Sequence, residues 1–321
     1  MSMNAVTINT TSLPNSDSGE WDPAAPGKIT RAGVRTWLSP GVTRPRREAN
    51  PLGRGLGGPY VGQVIETIGR VFREALESFG EAGKLTAEAV RSARDVRTWG
   101  PNFTDQARKL GVDSLPIGIL IALFTGVVLA LLASYSFTGA VPRYLVGTLV
   151  QKTVMMELAP VLTGLALAGR VGANIAAELG TMRVTEQVDA LETLSFDPVA
   201  YLVVPRILAG IIMFPVVVGV AMFVGLGAGW VASMTLLDLS SMEFMKGARL
   251  FFDTFDVRYG LVKSASFGFA VSVLGCTNGL RARGGAQGVG AAATSAVVQS
   301  AVMILVLDAF WAMVWLLGRA R

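Results

Sequence analysis

"LPIGILIALFTGVVLALLASYSF", residues 115–137, runs without one charged side chain. The hydrocarbon core of a bilayer is about 30 Å thick, which a helix crosses in about 20 residues. No water is available there, so the backbone must satisfy its own hydrogen bonds, and a continuous apolar run of this length does so as a helix. The segment is read as a transmembrane span, and it sets the solvent for its neighbours.

Toward the C-terminus, residues 202–235 are long and apolar after Arg206, broken by Pro215 and several glycines. Residues 261–280 and 296–317 supply two more spans. Residues 146–170 contain Lys152 and Glu157, and are read as a span lined by protein or facing a cavity. Five membrane helices are predicted. Toward the N-terminus, Ile65, Ile68, Phe72, Leu76 and Phe79 recur at three- and four-residue steps. Glu66, Arg70, Arg73, Glu74 and Glu77 fill the opposite face, which predicts an amphipathic helix from about 62 to 96. It is too polar to span and is placed at the membrane interface. Residues 1–60 are rich in Ser, Thr, Pro, Gly and Arg, close on "PLGRGLGGP" (51–59), and are read as a disordered extension without the apolar core of a signal peptide.

The fold class is therefore an all-α integral membrane protein, with an N-terminal interfacial amphipathic helix and five transmembrane helices. Its parts are an extension over 1–60, an interfacial region over 61–110 and a membrane domain over 111–321. No internal repeat is apparent. The charge rule for topology gives no single answer: Arg94, Arg97, Arg108 and Lys109 place the N-terminus inside, whereas five spans then put the C-terminal "GRAR" outside.

Composition agrees with this class and restricts the chemistry. The 321 residues are 51% hydrophobic and 16% charged, where a soluble domain carries about 25% charged residues. The absence of histidine excludes Ser-His-Asp hydrolysis, histidine metal sites and imidazole relays. One cysteine, Cys276, allows no intrachain disulfide or Cys-rich zinc site. The net charge of +5 is scattered rather than gathered on one face among aromatics, so no nucleic-acid partner is expected. No catalytic or metal-ligating residues are predicted.

Ionisable groups inside spans are costly and mark function by default. Glu157 lies in "VMMELAPVLTG", where Pro160 frees a carbonyl one turn earlier. It fits either a hydrogen bond between spans or the lining of a substrate pocket. Asp308, a single acid in "ILVLDAFWAMVW", is read as a structural residue paired with a neighbouring span. Lys152 is read as snorkelling to the interface. "RARGGAQGVGAAATSAVVQS" (281–300) carries a G-x-G-x-x-A array, but membrane helices flank it, so it predicts a tight turn and close packing rather than a nucleotide site.

The densest acidic stretch, "ELGTMRVTEQVDALETLSFDP" (178–198), falls between the second and third spans. Its residues alone fit a solvated loop with a Glu–Arg pair. Taken with its flanks, "LAGRVGANIAAELGTMRVTEQVDALETLSFDPVAYLVVPRILAG" (167–210) resembles the signature of the MlaE/YrbE permeases, the membrane subunits of Mla- and Mce-type lipid ABC transporters. The resemblance extends over roughly 62–318 and includes "GGAQGVGAAATSAVVQS" (284–300) and Asp308.

The resemblance implies a permease with an interfacial helix and five spans, working as a homodimer or with a paralogue. It implies a cytosolic ABC ATPase subunit that binds ATP and Mg, an MCE-domain lipid-binding protein on the far side, and a phospholipid substrate. The chain itself then has no cofactor and is not an enzyme, and it sits in the cytoplasmic (inner) membrane of a bacterium. The segment at about 178–197 becomes a coupling helix, with Glu178, Met182, Arg183, Glu186, Gln187 and Asp189 as ATPase-coupling residues. Glu157 matches a family glutamate near the lipid cavity, with Leu129, Phe137, Met156 and Leu158 as further lipid-binding residues. Met156, Ala159 and Leu132 replace an arginine, a glycine and a glutamine of other members, which makes the cavity less polar.

Two other classes compete. An ion- or proton-coupled secondary transporter would use Glu157 and Asp308, and inverted repeats would favour it. An intramembrane lipid-modifying enzyme would need a nucleophile–base pair that the sequence does not supply.

Overall fold

A computed structural model describes residue 77 and residues 80–136, 142–237 and 239–316. The predicted 1–60 extension, the first part of the predicted interfacial helix and Phe137 lie outside the described residues.

Every regular element among the described residues is helical. We label them α1 (80–92), α2 (Val96–Leu110), α3 (Leu115–Ser136) and α4 (Leu145–Val184). There follow α5 (Gln187–Thr193), α6 (Val199–Leu236), α7 (Ser241–Leu250), α8 (Thr254–Leu280) and α9 (Gly285–Trp311). Five helical stretches are long and apolar enough to cross a membrane: Val96–Ser136, α4, α6, α8 and Gly285–Val314. Phe124, Phe223 and Val302 are exposed, as lipid-facing side chains should be.

The helix predicted over 62–96 stops at residue 92. A new helix starts after Asp95, a residue type that favours helix starts, whose carboxylate accepts from Thr98 Oγ1 at 2.5 Å. On α1, Ala82 and Ala89 are buried in the bundle core and Leu85 packs against it, as does Ala93 in the turn that follows.

Apolar burial drives helix association weakly in lipid, so close backbone contact has to supply the packing. A Cβ on Gly126 of α3 would lie 2.0 Å from the carbonyl oxygen of Gly225 on α6. One on Gly268 of α8 would lie 2.2 Å from that of Gly210 on α6. Helix α6 is thus gripped on two sides at glycine contacts.

Prolines shape the long helices. Pro160 and Pro205 cannot donate to the carbonyl four residues back, and each follows a π-helical turn, Val154–Leu158 in α4 and Val199–Val203 in α6. Between α8 and α9 the chain turns at Gly284 and Gly285, with φ of 85° and 72°. The remainder of the glycine-rich stretch belongs to α9.

Gly126→Ala is expected to push α3 and α6 apart and to destabilise the protein by about 1–3 kcal/mol. Thermal unfolding in detergent checks this; an unchanged midpoint would show that the contact yields freely.

Candidate functional site

Lys263 on α8 is completely buried. Its Nζ donates to Glu157 Oε2 of α4 at 2.6 Å and forms an ion pair with Asp308 of α9. It also donates to the Met156 carbonyl at 3.4 Å, the group that Pro160 leaves without its helical donor. Glu157 and Asp308 are partly exposed, with side-chain accessibilities of 37% and 25%. The cluster thus presents acid at its surface over a buried cation, and it joins three spans.

One turn and more along α4, Lys152 pairs with the buried Asp256 of α8 at 2.7 Å, and Gln151 Nε2 donates to the same carboxylate at 3.2 Å. Lys152 was expected to snorkel to the interface; its side chain is 35% accessible and also serves as the cation for the buried Asp256, 104 positions away. Neither Lys263 nor Asp256 stood out in the sequence. The available signal was a lysine inside an apolar run that also needed a partner for Glu157 and Asp308.

The acidic stretch resolves into three parts. Helix α4 continues through Glu178 to Val184, Glu186 takes a left-handed conformation with φ of 61°, and α5 covers Gln187–Thr193. The segment is therefore not a single helix over 178–197. Its C-terminal end is a Schellman cap: Phe196 N donates to Leu191 O at 3.0 Å and Ser195 N to Glu192 O at 2.9 Å, with Ser195 at φ of 63°. Val188 is buried in the core, and Arg183 and Asp189 form an ion pair that bridges the turn. Asp197 accepts from Ser92 Oγ at 2.6 Å, which ties the far end to α1.

Glu178 faces the bundle. It accepts from the buried Arg206 of α6 at 2.8 Å and from Lys109 of α2 at 3.4 Å, so it links three helices near the base of α5. Met182, Gln187, Val188, Ala190, Leu191, Leu194, Tyr201 and Leu202 line an almost wholly apolar cavity of about 300 Å³ beside α5.

A five-span helical chain with this connecting segment has known counterparts. The family described as Permease MlaE matches residues 103–314. The chain belongs to the MlaE permease family. It is 44% identical over 243 residues to a "Probable ABC transporter permease protein" of Rickettsia felis, covering 76% of this chain and 94% of that one. It is 30% identical over 245 residues to the "Intermembrane phospholipid transport system permease protein MlaE" of Haemophilus influenzae, with the same coverages of 76% and 94%. It is also 34% identical over 207 residues to the chloroplastic "Protein TRIGALACTOSYLDIACYLGLYCEROL 1" of Arabidopsis thaliana, covering 64% and 59%.

In this MlaE-family chain the candidate lipid residues separate. Met156, Glu157 and Leu158 are partly accessible on the π-helical turn. Leu129 is buried inside the bundle, packed in the cluster that includes Val150 and Val218. The candidate coupling residues divide as well: Met182 and Gln187 line the α5 cavity, Glu186 is exposed, and Arg183 and Asp189 hold the turn.

Lys263→Met would leave two carboxylates facing each other without a cation, and is expected to cost about 3–5 kcal/mol. Thermal unfolding in detergent measures it; a loss below that of a neutral core substitution would mean that the cluster does not hold the spans together.

Proposed function

We propose that the chain is the permease subunit of an ABC-type lipid transporter, taking phospholipid, energised by a separate ATPase that binds ATP and Mg, and working with an MCE-domain protein. The subunit works as a dimer in the inner membrane and performs no covalent chemistry. Family membership and the phospholipid transport role for which the Haemophilus relative is named support the lipid reading. The observation that carries the coupling is α5: a short helix with exposed acids, anchored by Val188 and closed at its C-terminal end by the Schellman cap, between two spans.

In this reading α5 docks on the ATPase through Glu186 and Asp189, with Met182, Arg183 and Gln187 shaping the surface. Glu178 transmits its displacement, because it ties the end of α4 to α2 and α6. Met156, Glu157 and Leu158 meet the lipid, with Leu129 packed behind.

Glu186→Lys keeps a similarly strained left-handed residue while reversing its charge, and is expected to weaken ATPase association about tenfold with membrane insertion intact. Unchanged association in a pull-down from nanodiscs would remove Glu186 from the interface. Glu157→Gln leaves Asp308 beside Lys263, so the bundle should hold while co-purifying lipid falls about tenfold, given 1.5–3 kcal/mol for a charged hydrogen bond. Lipid content equal to wild type, measured by mass spectrometry, would sink the lipid-contact role.

The Glu157–Lys263–Asp308 cluster also favours a second reading, an ion- or proton-coupled secondary transporter. Transport in vesicles that continues without ATP and without the ATPase would select it.

A further inference from the structure

The cavity beside α5 has a form that docking through surface charges does not require. Its walls come from the end of α4 (Met182), from α5 and the residue that caps it (Val188, Leu191, Leu194) and from the start of α6 (Tyr201, Leu202). At about 300 Å³ it exceeds the roughly 150 Å³ with which an apolar cavity accepts benzene. Leu194 and the adjoining Phe196 are 68% and 51% exposed, although both belong to a tightly capped turn. Large apolar side chains held rigidly in the open mark a surface that is covered in use.

Charge identifies what covers it. Residues 186–197 carry Glu186, Asp189, Glu192 and Asp197 and no lysine or arginine. All four acids are exposed, and Arg183 pairs with only one of them. An anionic lipid surface would be repelled by this rim. A protein surface with a projecting apolar side chain between basic residues fits both the cavity and its charge.

We propose that this cavity is a socket for one bulky apolar side chain of the ATPase, presented among lysines or arginines, so that the permease receives the partner as well as docking on it. The proposal rests on the coupling reading above and specifies the partner's chemistry. Because the socket has walls from α4, α5 and α6, a side chain seated in it would bear on the second and third spans together.

The test uses the full-length permease in nanodiscs and the purified ATPase subunit, with its identity fixed by nucleotide hydrolysis. Ala190 lines the socket but is itself exposed, so Ala190→Phe fills the space without disturbing the core. The expected result is ATPase affinity at least about tenfold weaker, with Ala190→Ser near wild type and all thermal midpoints unchanged. The one native cysteine, Cys276, is buried, so Ala190→Cys introduces a single exposed thiol for cross-linking. It should cross-link to the ATPase beside an apolar residue with basic neighbours. If Glu186→Lys weakens association and Ala190→Phe does not, docking stands and the socket is wrong. If neither variant weakens it and Ala190→Cys captures no ATPase, the coupling reading itself fails. Cross-linking to an acidic or wholly polar patch would overturn the assigned partner chemistry.

Discussion

A lysine with no access to water, in the middle of a helix bundle, decides how three of the five spans must meet. Lys263 cannot stay charged in an apolar interior unless acid and carbonyl groups are brought to it. Glu157 from α4, Asp308 from α9 and the carbonyl of Met156 do this. Each acid is expensive alone and acceptable only in that company. The cluster is thus a register lock: slipping any of the three helices by one residue would strand a charge. Its two carboxylates exceed its one cation, and they lie on the accessible side.

The same accounting explains the prolines. Pro160 withholds a donor from Met156, and Lys263 supplies one. Pro205 withholds a donor from Tyr201, and Asn102 Nδ2 of α2 supplies one at 3.4 Å. In both cases a helix is loosened into a π-helical turn, and a side chain from another helix occupies the freed carbonyl. The irregularities therefore join helices. One lies beside the acid proposed to meet lipid, the other at the base of the segment proposed to meet the ATPase.

Much of this fold was legible because span length and hydropathy are local properties. The charge-free run at 115–137 announces α3 by itself, and the five spans follow by the same measure. What was hidden depends on partners far away in sequence. Lys152 shows no partner in the sequence until Asp256 arrives from α8, and Glu178 reads as part of a charged loop until Arg206 turns it inward. The break at Glu186 was hidden for another reason. No glycine or proline marks it, and the left-handed glutamate sits in a turn bridged by the Arg183–Asp189 pair and followed by the buried Val188.

That turn bears on how motion would enter the membrane. A flexible loop would absorb displacement of α5, since exposed residues without fixed contacts move independently of the bundle. Here the helix is held at one end by Glu186 and the Arg183–Asp189 pair, and at the other by the Schellman cap and the Asp197–Ser92 hydrogen bond. Beneath it, Glu178 binds α2 through Lys109 and α6 through Arg206. The exposed ion pairs contribute little stability, about 0–1 kcal/mol each, but the buried Arg206 cannot release its acid cheaply. A push on α5 would therefore reach α6 through a charged contact that resists parting, and α6 would carry it to α3 and α8 through the glycine contacts at Gly225 and Gly210.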